Sequence, residues 1–330
     1  MKNKNIIISV IVIAYNRKIY INQALNSLKY QSLSKDIFEV IVISNFDVDL
    51  TSYKNINIKY IKLDGSIGEF FSYGIKESNG EVICILEDDD LFHRDKLKIL
   101  YDTYIRFNFD YYKNNLVRVD ESDKIIPNYH IGKIEYLLSR KSFILKVKGD
   151  IDISKIKKTL LFSGAPSTIA FKKKAILGNL EDMRRVTSEI GYFIFYLIFD
   201  NGGTFFYDKR KLTRYRVSEQ SDSHSKHFKS WVIIRNSYLP RTIKTDEILL
   251  SIIKSYYIKR FLILDKSILE NEFFLINQKR PKFKIYVNNV IFGLVYFDLY
   301  YGLRWILIKS LYYVVPKFYI YNLKKKLDHN

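Results

Sequence analysis

The sequence predicts an α/β fold, in which a mostly parallel sheet is flanked by helices and followed by a C-terminal helical region. The first observation is an alternation of short, β-branched apolar runs with amphipathic helical stretches, which is typical of a parallel sheet covered by helices. The second is that three polar stretches follow such runs directly. The third is a change of character after about residue 226, where long, tyrosine-rich helical patterns begin.

The chain of 330 residues is long enough for one large domain or two smaller ones, and 48% of its residues are hydrophobic. We expect a first domain over 1–225, with halves at about 1–100 and 101–225, and a second region over 226–330. Cys84 is the single cysteine, which excludes an intrachain disulfide and a cysteine zinc site and fits a reducing compartment. The net charge of +19 indicates an anionic partner: nucleic acid, anionic lipid or a phosphorylated substrate.

The elements of the first hundred residues follow from their apolar patterns. Residues 6–14, IIISVIVIA, predict a buried strand rather than a signal peptide, because no small-residue cleavage site follows them. Apolar residues at i, i+3, i+4 and i+7 from Ile21 to Leu28 predict a helix. Further strands are predicted at 38–44, 57–63 and 81–86, with a helix at 69–80.

The elements that follow are less regular. Residues 218–227 are polar and predict a loop at the end of a domain. No uncharged apolar stretch reaches the about 18 residues that a membrane-spanning helix needs. We predict a helix over 94–107, a hairpin over 114–126, a strand leading into a helix over 167–176, an apolar helix over 188–203 and a strand pair over 203–217.

Three polar stretches lie where predicted strands end: AYNR (14–17), SNFD (44–47) and EDDD (87–90). Ligands of open α/β sheets bind outside the carboxyl ends of the strands, so the three stretches predict one site. Four consecutive carboxylates repel one another, and EDDD therefore indicates a cation or ligand that offsets the charge. The alternative is an acidic loop that caps the next helix, but a cap needs a single carboxylate.

In this order and at these spacings, the three stretches resemble the family 2 glycosyltransferases of the GT-A fold, whose sheet binds a nucleotide. The segments that carry the resemblance are SVIVIAYNRKIYINQALNSLKYQS, FEVIVISNFDVD and GIKESNGEVICILEDDDLFHRDKL. It extends over about residues 6–217 and is strongest over 6–100. The chain departs from the family pattern at three places: Ser44-Asn45 replaces paired Asp, Phe71-Ser72 replaces Arg-Asn, and Glu189-Ile190 replaces Glu-Asp.

The resemblance implies that the acidic run is a DxD motif, which holds Mn²⁺ or Mg²⁺ against the diphosphate of a sugar nucleotide. By this likeness Asp89 is the metal ligand, Asp90 supports the metal site, and Asp88 or Glu87 contacts the ribose. His224 lies where several GT-A enzymes place an additional metal ligand, the alternative being a solvent-exposed loop histidine. Hard oxygen ligands suit both ions, and a cation that bridges the phosphates stabilises the charge of the leaving diphosphate.

The resemblance also implies where the nucleotide binds. Tyr15 matches the position that stacks on the base, and Arg17 lies where a basic residue can approach the nucleotide. Asn45 matches the position that reads the base edge; its amide can pair with uracil, so a UDP-sugar is favoured. Arg214 and Arg216 could meet phosphate. Ordinary loop and turn roles are the alternatives for each of these residues.

Glu189 is the candidate base. Inverting transfer requires one carboxylate that takes the proton of the acceptor hydroxyl as this oxygen attacks the anomeric carbon. Ser188 is a good N-cap, which would place Glu189 in the first turn of the next helix. A helix-start Glu without a catalytic role is the alternative, and the Glu181-Asp182 pair is the second candidate for the base.

The function that the sequence predicts is metal-dependent, inverting transfer of a sugar from a nucleotide diphosphate to a hydroxyl of a glycan or lipid-linked acceptor, in bacterial surface polysaccharide synthesis. One alternative is a non-catalytic subunit of the same fold that binds or assembles. The other is a nucleotidyltransferase, which is disfavoured because AYNRKIY has no glycine for a phosphate loop.

The C-terminal region carries Trp231, Trp305, many tyrosines and the lysine run 324–326. This composition predicts contact with an anionic membrane surface, and an aromatic core or an oligomer contact is the alternative. We expect a cytoplasmic protein, including a peripheral position on the inner face of the cell membrane. We expect no nucleic-acid partner, because the acidic run argues against one.

Overall fold

The computed structural model describes residues 6–126, 139–148, 162, 164–218 and 228–296, together with 309–310, 312–316, 319–322 and 324. The chain divides into two compact units, Met1–Val217 and Ser218–Asn330. The first unit is the α/β part, and the second is helical. The predicted fold class is therefore confirmed.

Half of the sheet is parallel and comes from the first hundred residues. The register pairs Ala14 with Ser44 on one side of the first strand and Ile13 with Glu87 on the other, so three strand ends lie at one edge. Every residue of the first two strands is buried, which explains their continuous apolar runs. The four strands are β1 (Ile8–Ala14), β2 (Phe38–Ser44), β3 (Ile58–Lys62) and β4 (Val82–Glu87), in the order β3-β2-β1-β4.

The other half of the sheet is mixed and continues from β4 in the order β8-β6-β9-β5. Strands β8 and β4 are antiparallel, β9 and β6 are parallel, and β7 and β5 each pair antiparallel with β9. The strands are β5 (Leu91–Phe92), β6 (Tyr111–Val119), β7 (Phe143–Val147), β8 (Ile169–Lys172) and β9 (Gly203–Arg216).

One prediction for this half was wrong, and another holds in part. Residues 203–216 form one strand of 14 residues rather than a strand pair. The charged run Lys209–Lys211 lies in a bulge of this strand, where the register between β6 and β9 shifts. The predicted hairpin over 114–126 is short: Val119 and Ile125 form an antiparallel bridge, and Ile126 N donates to Arg118 O at 3.0 Å.

The first unit has five α-helices in its described part, which pack beside the sheet. They are α1 (Ile21–Lys29), α2 (Ile67–Glu77), α3 (Lys96–Phe107), α4 (Leu180–Arg184) and α5 (Ile190–Asp200), with short 3₁₀ turns at 51–53, 166–168, 173–175 and 177–179. Helix α2 begins at a capping box of Ser66 and Glu69 and ends before the Gly80 that we expected to stop it. Gly80 instead donates its backbone N–H to Ser9 Oγ, 2.8 Å away.

In its described part, the second unit contains α6 (Phe228–Ile252), α7 (Tyr256–Ile276) and α8 (Phe283–Tyr296), with further helical residues between 309 and 324. Helix α7 packs against both of the others. Arg235 of α6 forms a two-pronged ion pair with Glu272 of α7, at 2.7 and 2.9 Å, and both side chains are largely buried. Among the described helices, none has the length and apolar character required to cross a membrane. Trp305 and Lys325 lie outside the described residues.

Gly68 offers a test of how α2 is fixed. Its N–H donates to Val186 O at 3.0 Å, and a Cβ atom at Gly68 would overlap the carbonyl oxygens of Met183 and Val186. Gly→Ala within a helix is ordinarily favourable by about 1 kcal/mol, but we expect Gly68→Ala to destabilise the first unit by about 2 kcal/mol through this overlap. Urea unfolding measures the difference. Gly178→Ala is the control, since nothing lies within 4 Å of its added methyl group, and equal stabilities of the two variants would contradict the prediction.

Candidate active site

The acidic run forms a tight turn at the end of β4. Glu87 is the last strand residue, and Asp90 N donates to Glu87 O at 3.2 Å, which closes the turn. Asp88 N donates to Ile13 O at 3.0 Å and fixes the turn beside β1. In a strand, alternate residues such as Glu87 and Asp89 would point to the same face. The strand ends at Glu87, so this alternation does not extend to Asp89 in the turn.

Arg17, in the loop after β1, neutralises the outer side of this turn. Its Nη2 atom lies 2.8 Å from Asp88 Oδ1 and 2.7 Å from Asp89 Oδ2, and its Nε atom lies 3.4 Å from Asp88 Oδ2. Burial nevertheless raises the pKa of Asp88 to about 6, since the Asp89 charge adds to the cost of ionisation and Arg17 offsets only part of it. Arg17 and the acidic run therefore lie in direct contact at the carboxyl edge of the sheet.

Arg216, at the end of β9, holds the inner side of the turn. Its backbone N–H donates to Asp90 Oδ1 at 2.9 Å, and its Nε donates to Asp89 O at 2.9 Å. The other guanidinium nitrogens donate to three further acceptors, and the group lies 4.4 Å above the Tyr20 ring. These acceptors are Asp120 O, Glu121 O and Gln23 Oε1. Arg216 is therefore a structural anchor rather than the phosphate contact that we considered.

Lys96 is a second buried cation beneath the turn, and the sequence analysis missed it. Its side chain is almost completely buried, and Nζ donates to Ser167 O and, at 3.0 Å, to Thr213 Oγ1. Ser167 Oγ in turn accepts the N–H of Glu87 at 2.9 Å. Burial lowers the pKa of Lys96 to about 8. The signal was available, because Lys96 lies four residues before Leu100 and therefore on the buried face of α3.

The charge of the turn favours an added cation. Burial raises the pKa values of Glu87, Asp89 and Asp90, and repulsion between the neighbouring carboxylates raises those of Glu87 and Asp90 further. A bound divalent cation would reverse this effect. Asp90 is fully buried, whereas the Asp89 side chain keeps 17% of its surface exposed. Among the three aspartates of the turn, Asp89 is thus the one best placed to meet a ligand from solvent.

The described residues do not form a complete metal site by themselves. No three His, Cys, Asp or Glu side chains converge within the part of the chain that the structure describes. His224, the predicted additional ligand, lies outside that part. The donor set still fits Mg²⁺ or Mn²⁺, because these ions bind through one or two carboxylates and take their remaining ligands from phosphates and water.

The residues predicted to bind a nucleotide lie along the same edge. Asn16 N donates to Asn45 Oδ1 at 3.0 Å, and Asn45 Nδ2 donates to Asn16 Oδ1, so the two loops after β1 and β2 are joined. Asn16 has a φ of 57°, which turns the loop sharply after Tyr15. Tyr15 is 41% exposed and meets Phe70 edge to face at 5.5 Å. The Tyr15 side chain is therefore accessible to a ligand.

Glu189 occupies the N-cap position of α5 in a left-handed conformation, with a φ of 55°. We expected Ser188 at this position and Glu189 in the first turn, so the helix begins one residue later than predicted. Two residues further on, Gly191 packs against Gly164 O and Pro166. The segment 164–166 continues into Ser167, which contacts Glu87. The start of α5 is therefore linked to the acidic turn.

The second candidate pair for the base lies in α4 and is engaged in surface ion pairs. Glu181 lies 3.2 Å from Arg184, and its side chain is 83% exposed. Asp182 lies 3.2 Å from Arg185. Helix α4 packs beside α2 rather than beside the acidic turn, since Ser72 of α2 donates to Leu180 O at 3.1 Å. This geometry favours Glu189.

A half-parallel sheet with polar loops and an acidic turn at its carboxyl edge is the arrangement of GT-A glycosyltransferases, and this is the class of enzyme to which the fold and site correspond. The model of glycosyl transferase family 2 matches residues 9–176, which is about half of the chain. The chain belongs to that family, and the predicted family and class of enzyme are confirmed.

Curated relatives match part of the chain. The poly(ribitol-phosphate) beta-N-acetylglucosaminyltransferase TarS of Staphylococcus aureus strain Mu50 is 34% identical over 99 residues, which are 27% of this chain and 17% of TarS. An uncharacterized glycosyltransferase of Rickettsia felis is 30% identical over 132 residues, which are 38% of this chain and 22% of that protein. The matched part is thus about a fifth of each relative's length.

Solved structures share the fold over a greater length. The crystal structure of S. aureus TarS 1-349 in complex with UDP-GlcNAc has a TM-score of 0.55 at 14% identity, over 93% of this chain and 91% of that one. The same protein in complex with UDP has a TM-score of 0.53 at 15% identity, over the same shares of the two chains. At these identities the likeness concerns the fold alone.

Proposed function

We propose that this glycosyltransferase is metal-dependent and inverting, and that it moves a sugar from a nucleotide diphosphate to a hydroxyl group of a glycan or lipid-linked acceptor. The observation that carries the proposal is the convergence of three strand ends on an acidic turn whose carboxylates are incompletely neutralised. Such a turn gains stability when a divalent cation and a diphosphate are added together.

The proposed donor is a UDP-sugar. In this proposal the exposed ring of Tyr15 stacks on the base, and Asn45 meets the uracil edge with its amide. The ribose hydroxyls lie near Asp88 or Glu87. The fold likeness to TarS, whose structures contain UDP and UDP-GlcNAc, supports this donor class. Arg17 is then positioned between the acidic turn and the diphosphate, where it can exchange one anionic partner for another.

Asp89 would hold the metal, which in the bound state would stabilise the charge that develops on the departing diphosphate. The remaining residues act on Asp89 indirectly. Asp90, Arg216 and Lys96 fix the backbone of the turn, so that the Asp89 carboxylate keeps its direction without solvent reorganisation. This preorganisation is what makes a single carboxylate effective.

Glu189 is the proposed base. It would take the proton from the acceptor hydroxyl while that oxygen bonds to the anomeric carbon and the diphosphate leaves from the opposite face, which inverts the configuration. The position of Glu189 at the N-cap of α5, next to a segment that leads through Ser167 to the acidic turn, supports this role.

The proposed acceptor is a polymer or lipid-linked precursor of the bacterial surface. The printed activity of TarS, transfer to poly(ribitol-phosphate), supports a surface polymer as the acceptor class. The net charge of +19 supports an anionic acceptor or an anionic surface nearby. We therefore propose a cytoplasmic protein that works at the inner face of the membrane.

A thermal-shift panel tests the proposal. We expect UDP with Mn²⁺ to raise the melting temperature of the protein by several degrees at saturating ligand, and UDP or Mn²⁺ alone to raise it much less. UMP with Mn²⁺ is the matched control, since it lacks the second phosphate. Stabilisation that is equal with and without metal would contradict the metal assignment. Metal-dependent binding without any release of sugar from UDP-sugars would favour the non-catalytic alternative.

A further inference from the structure

One end of the helical unit carries exposed cations around an exposed aromatic ring. Helix α7 ends at Ile276 and α8 begins at Phe283, and the connection between them is largely exposed. Phe283, the first residue of α8, is 68% exposed. The exposed cations of this tip are Lys279, Arg280, Lys282 and Lys284.

A second segment adds apolar groups to the same tip. Tyr313 stacks on Tyr286 of α8 with ring centroids 4.5 Å apart, and Arg280 lies 5.7 Å from the Tyr313 ring. Arg280 also reaches Val314 O at 3.5 Å. Val314 and Val315 are both exposed. We use the name α7–α8 tip for residues 279–284 together with 313–315.

The sequence around the tip offers almost no acidic partner for these cations. Between residues 273 and 327 the only acidic residue is Asp298. The same stretch contains Lys279, Arg280, Lys282, Lys284, Arg304, Lys309, Lys317, Lys324, Lys325 and Lys326. A surface of this kind attracts an anionic partner that lies outside the chain.

We propose that the α7–α8 tip docks on an anionic lipid bilayer, with Phe283 and the two valines at the headgroup level and the lysines on the anionic headgroups. The exposed apolar groups decide between a bilayer and a soluble polyanion. A soluble polyanion would neutralise the cations but leave Phe283, Val314 and Val315 in water, whereas a bilayer surface accepts both kinds of group. The inference rests on the proposed function and deepens it by naming the surface that meets the membrane, and it would explain how a lipid-linked acceptor is met.

The opposite end of α7 provides a matched comparison. Tyr256, the first residue of α7, is 67% exposed, and the 21 residues of the helix separate it from the α7–α8 tip by about 30 Å. Tyr256→Ser removes an exposed aromatic ring of similar size without touching the tip. Phe283→Ser removes the ring within the tip, and its exposure indicates that the fold will tolerate the change.

Co-sedimentation of the full chain with vesicles tests the proposal. We expect binding to an equal mixture of phosphatidylcholine and phosphatidylglycerol, and no measurable binding to phosphatidylcholine alone. Phe283→Ser should weaken binding about tenfold, since it removes the largest exposed apolar side chain of the tip. The triple variant Lys279→Gln, Lys282→Gln, Lys284→Gln should weaken it about a hundredfold, because each lysine near an anionic surface contributes about fivefold. Tyr256→Ser should bind as the unchanged protein does.

Three outcomes would overturn the proposal. The first is equal binding to neutral and anionic vesicles, or binding to neither. The second is loss of binding in Tyr256→Ser with retention in Phe283→Ser. The third is that the triple variant loses binding of soluble polyphosphate while Phe283→Ser keeps it, and that vesicle binding shows the same pattern. This result would identify the tip as a site for polyanions. The shift in melting temperature with UDP and Mn²⁺ is measured on each variant. This measurement distinguishes failure of vesicle binding from misfolding or from failure of the proposed enzyme function.

Discussion

Asp89→Asn is expected to lower the rate of UDP-sugar hydrolysis and transfer by about a thousandfold, since it removes the carboxylate that would hold the metal against the diphosphate. A metal ion contributes several kcal/mol of transition-state charge stabilisation, which corresponds to about three orders of magnitude in rate. Donor hydrolysis in the presence of Mn²⁺ is the measurement, because it requires no knowledge of the acceptor.

The fold should survive this substitution. The Asp89 side chain pairs with Arg17, which keeps its second partner Asp88, and the turn is held from beneath through the Asp89 carbonyl oxygen, which the variant retains. We expect an unchanged melting temperature without ligands and a loss of the Mn²⁺-dependent shift with UDP. Asp102→Asn is the control: it removes an exposed acidic group of α3, where Asp102 pairs with Lys98. If Asp89→Asn kept more than a tenth of the activity, Asp89 could not be the metal ligand.

Glu189→Gln is expected to reduce transfer about a hundredfold to ten-thousandfold, the usual range for loss of a general base. The amide cannot take the proton of the acceptor hydroxyl, but it keeps the size of the side chain. Donor binding should not change, since in the proposed arrangement Glu189 contacts the acceptor. Incorporation of labelled sugar into the cell-envelope fraction measures transfer, and the UDP-dependent thermal shift measures donor binding.

The second candidates for the base provide the comparison. Glu181→Gln and Asp182→Asn alter exposed or half-exposed ion pairs in α4, and each should leave transfer within about twofold of the unchanged rate, because surface ion pairs contribute little. If Glu181→Gln or Asp182→Asn abolished transfer while Glu189→Gln did not, the base would have to be assigned to α4.

Local patterns were sufficient for the parallel half of the sheet. The runs that form β1, β2 and β4 are short, β-branched and buried, so their identity as strands and the meeting of their ends could be predicted without tertiary information. The edge that carries Tyr15, Asn45 and the acidic turn follows from strand direction alone. This is the part of the candidate site that the sequence predicts well.

The support of the acidic turn depends on pairing that no local pattern contains. Arg216 reaches Asp90 because β9 runs past the bulge at 209–211 as one strand, whereas the charged run at 209–211 has no apolar strand pattern. Lys96 was overlooked because a lysine is expected at a surface, and its burial becomes evident only when Ser167 and Thr213 are placed beside it. The left-handed backbone conformation of Glu189 was missed for a similar reason, because local preference favours Ser188 as the N-cap residue of α5.

The anchoring by Arg216 has a consequence for the order in which the enzyme becomes functional during synthesis. Asp90 and Arg216 are 126 residues apart in the chain, so the bonds that fix the acidic turn cannot exist until the last strand of the first unit has left the ribosome. The parallel strands β1 to β4 are complete long before that point. A nascent chain can therefore complete the parallel strands while the acidic turn is still unfixed, and the turn reaches its final form in the last step of folding of that unit rather than with its core.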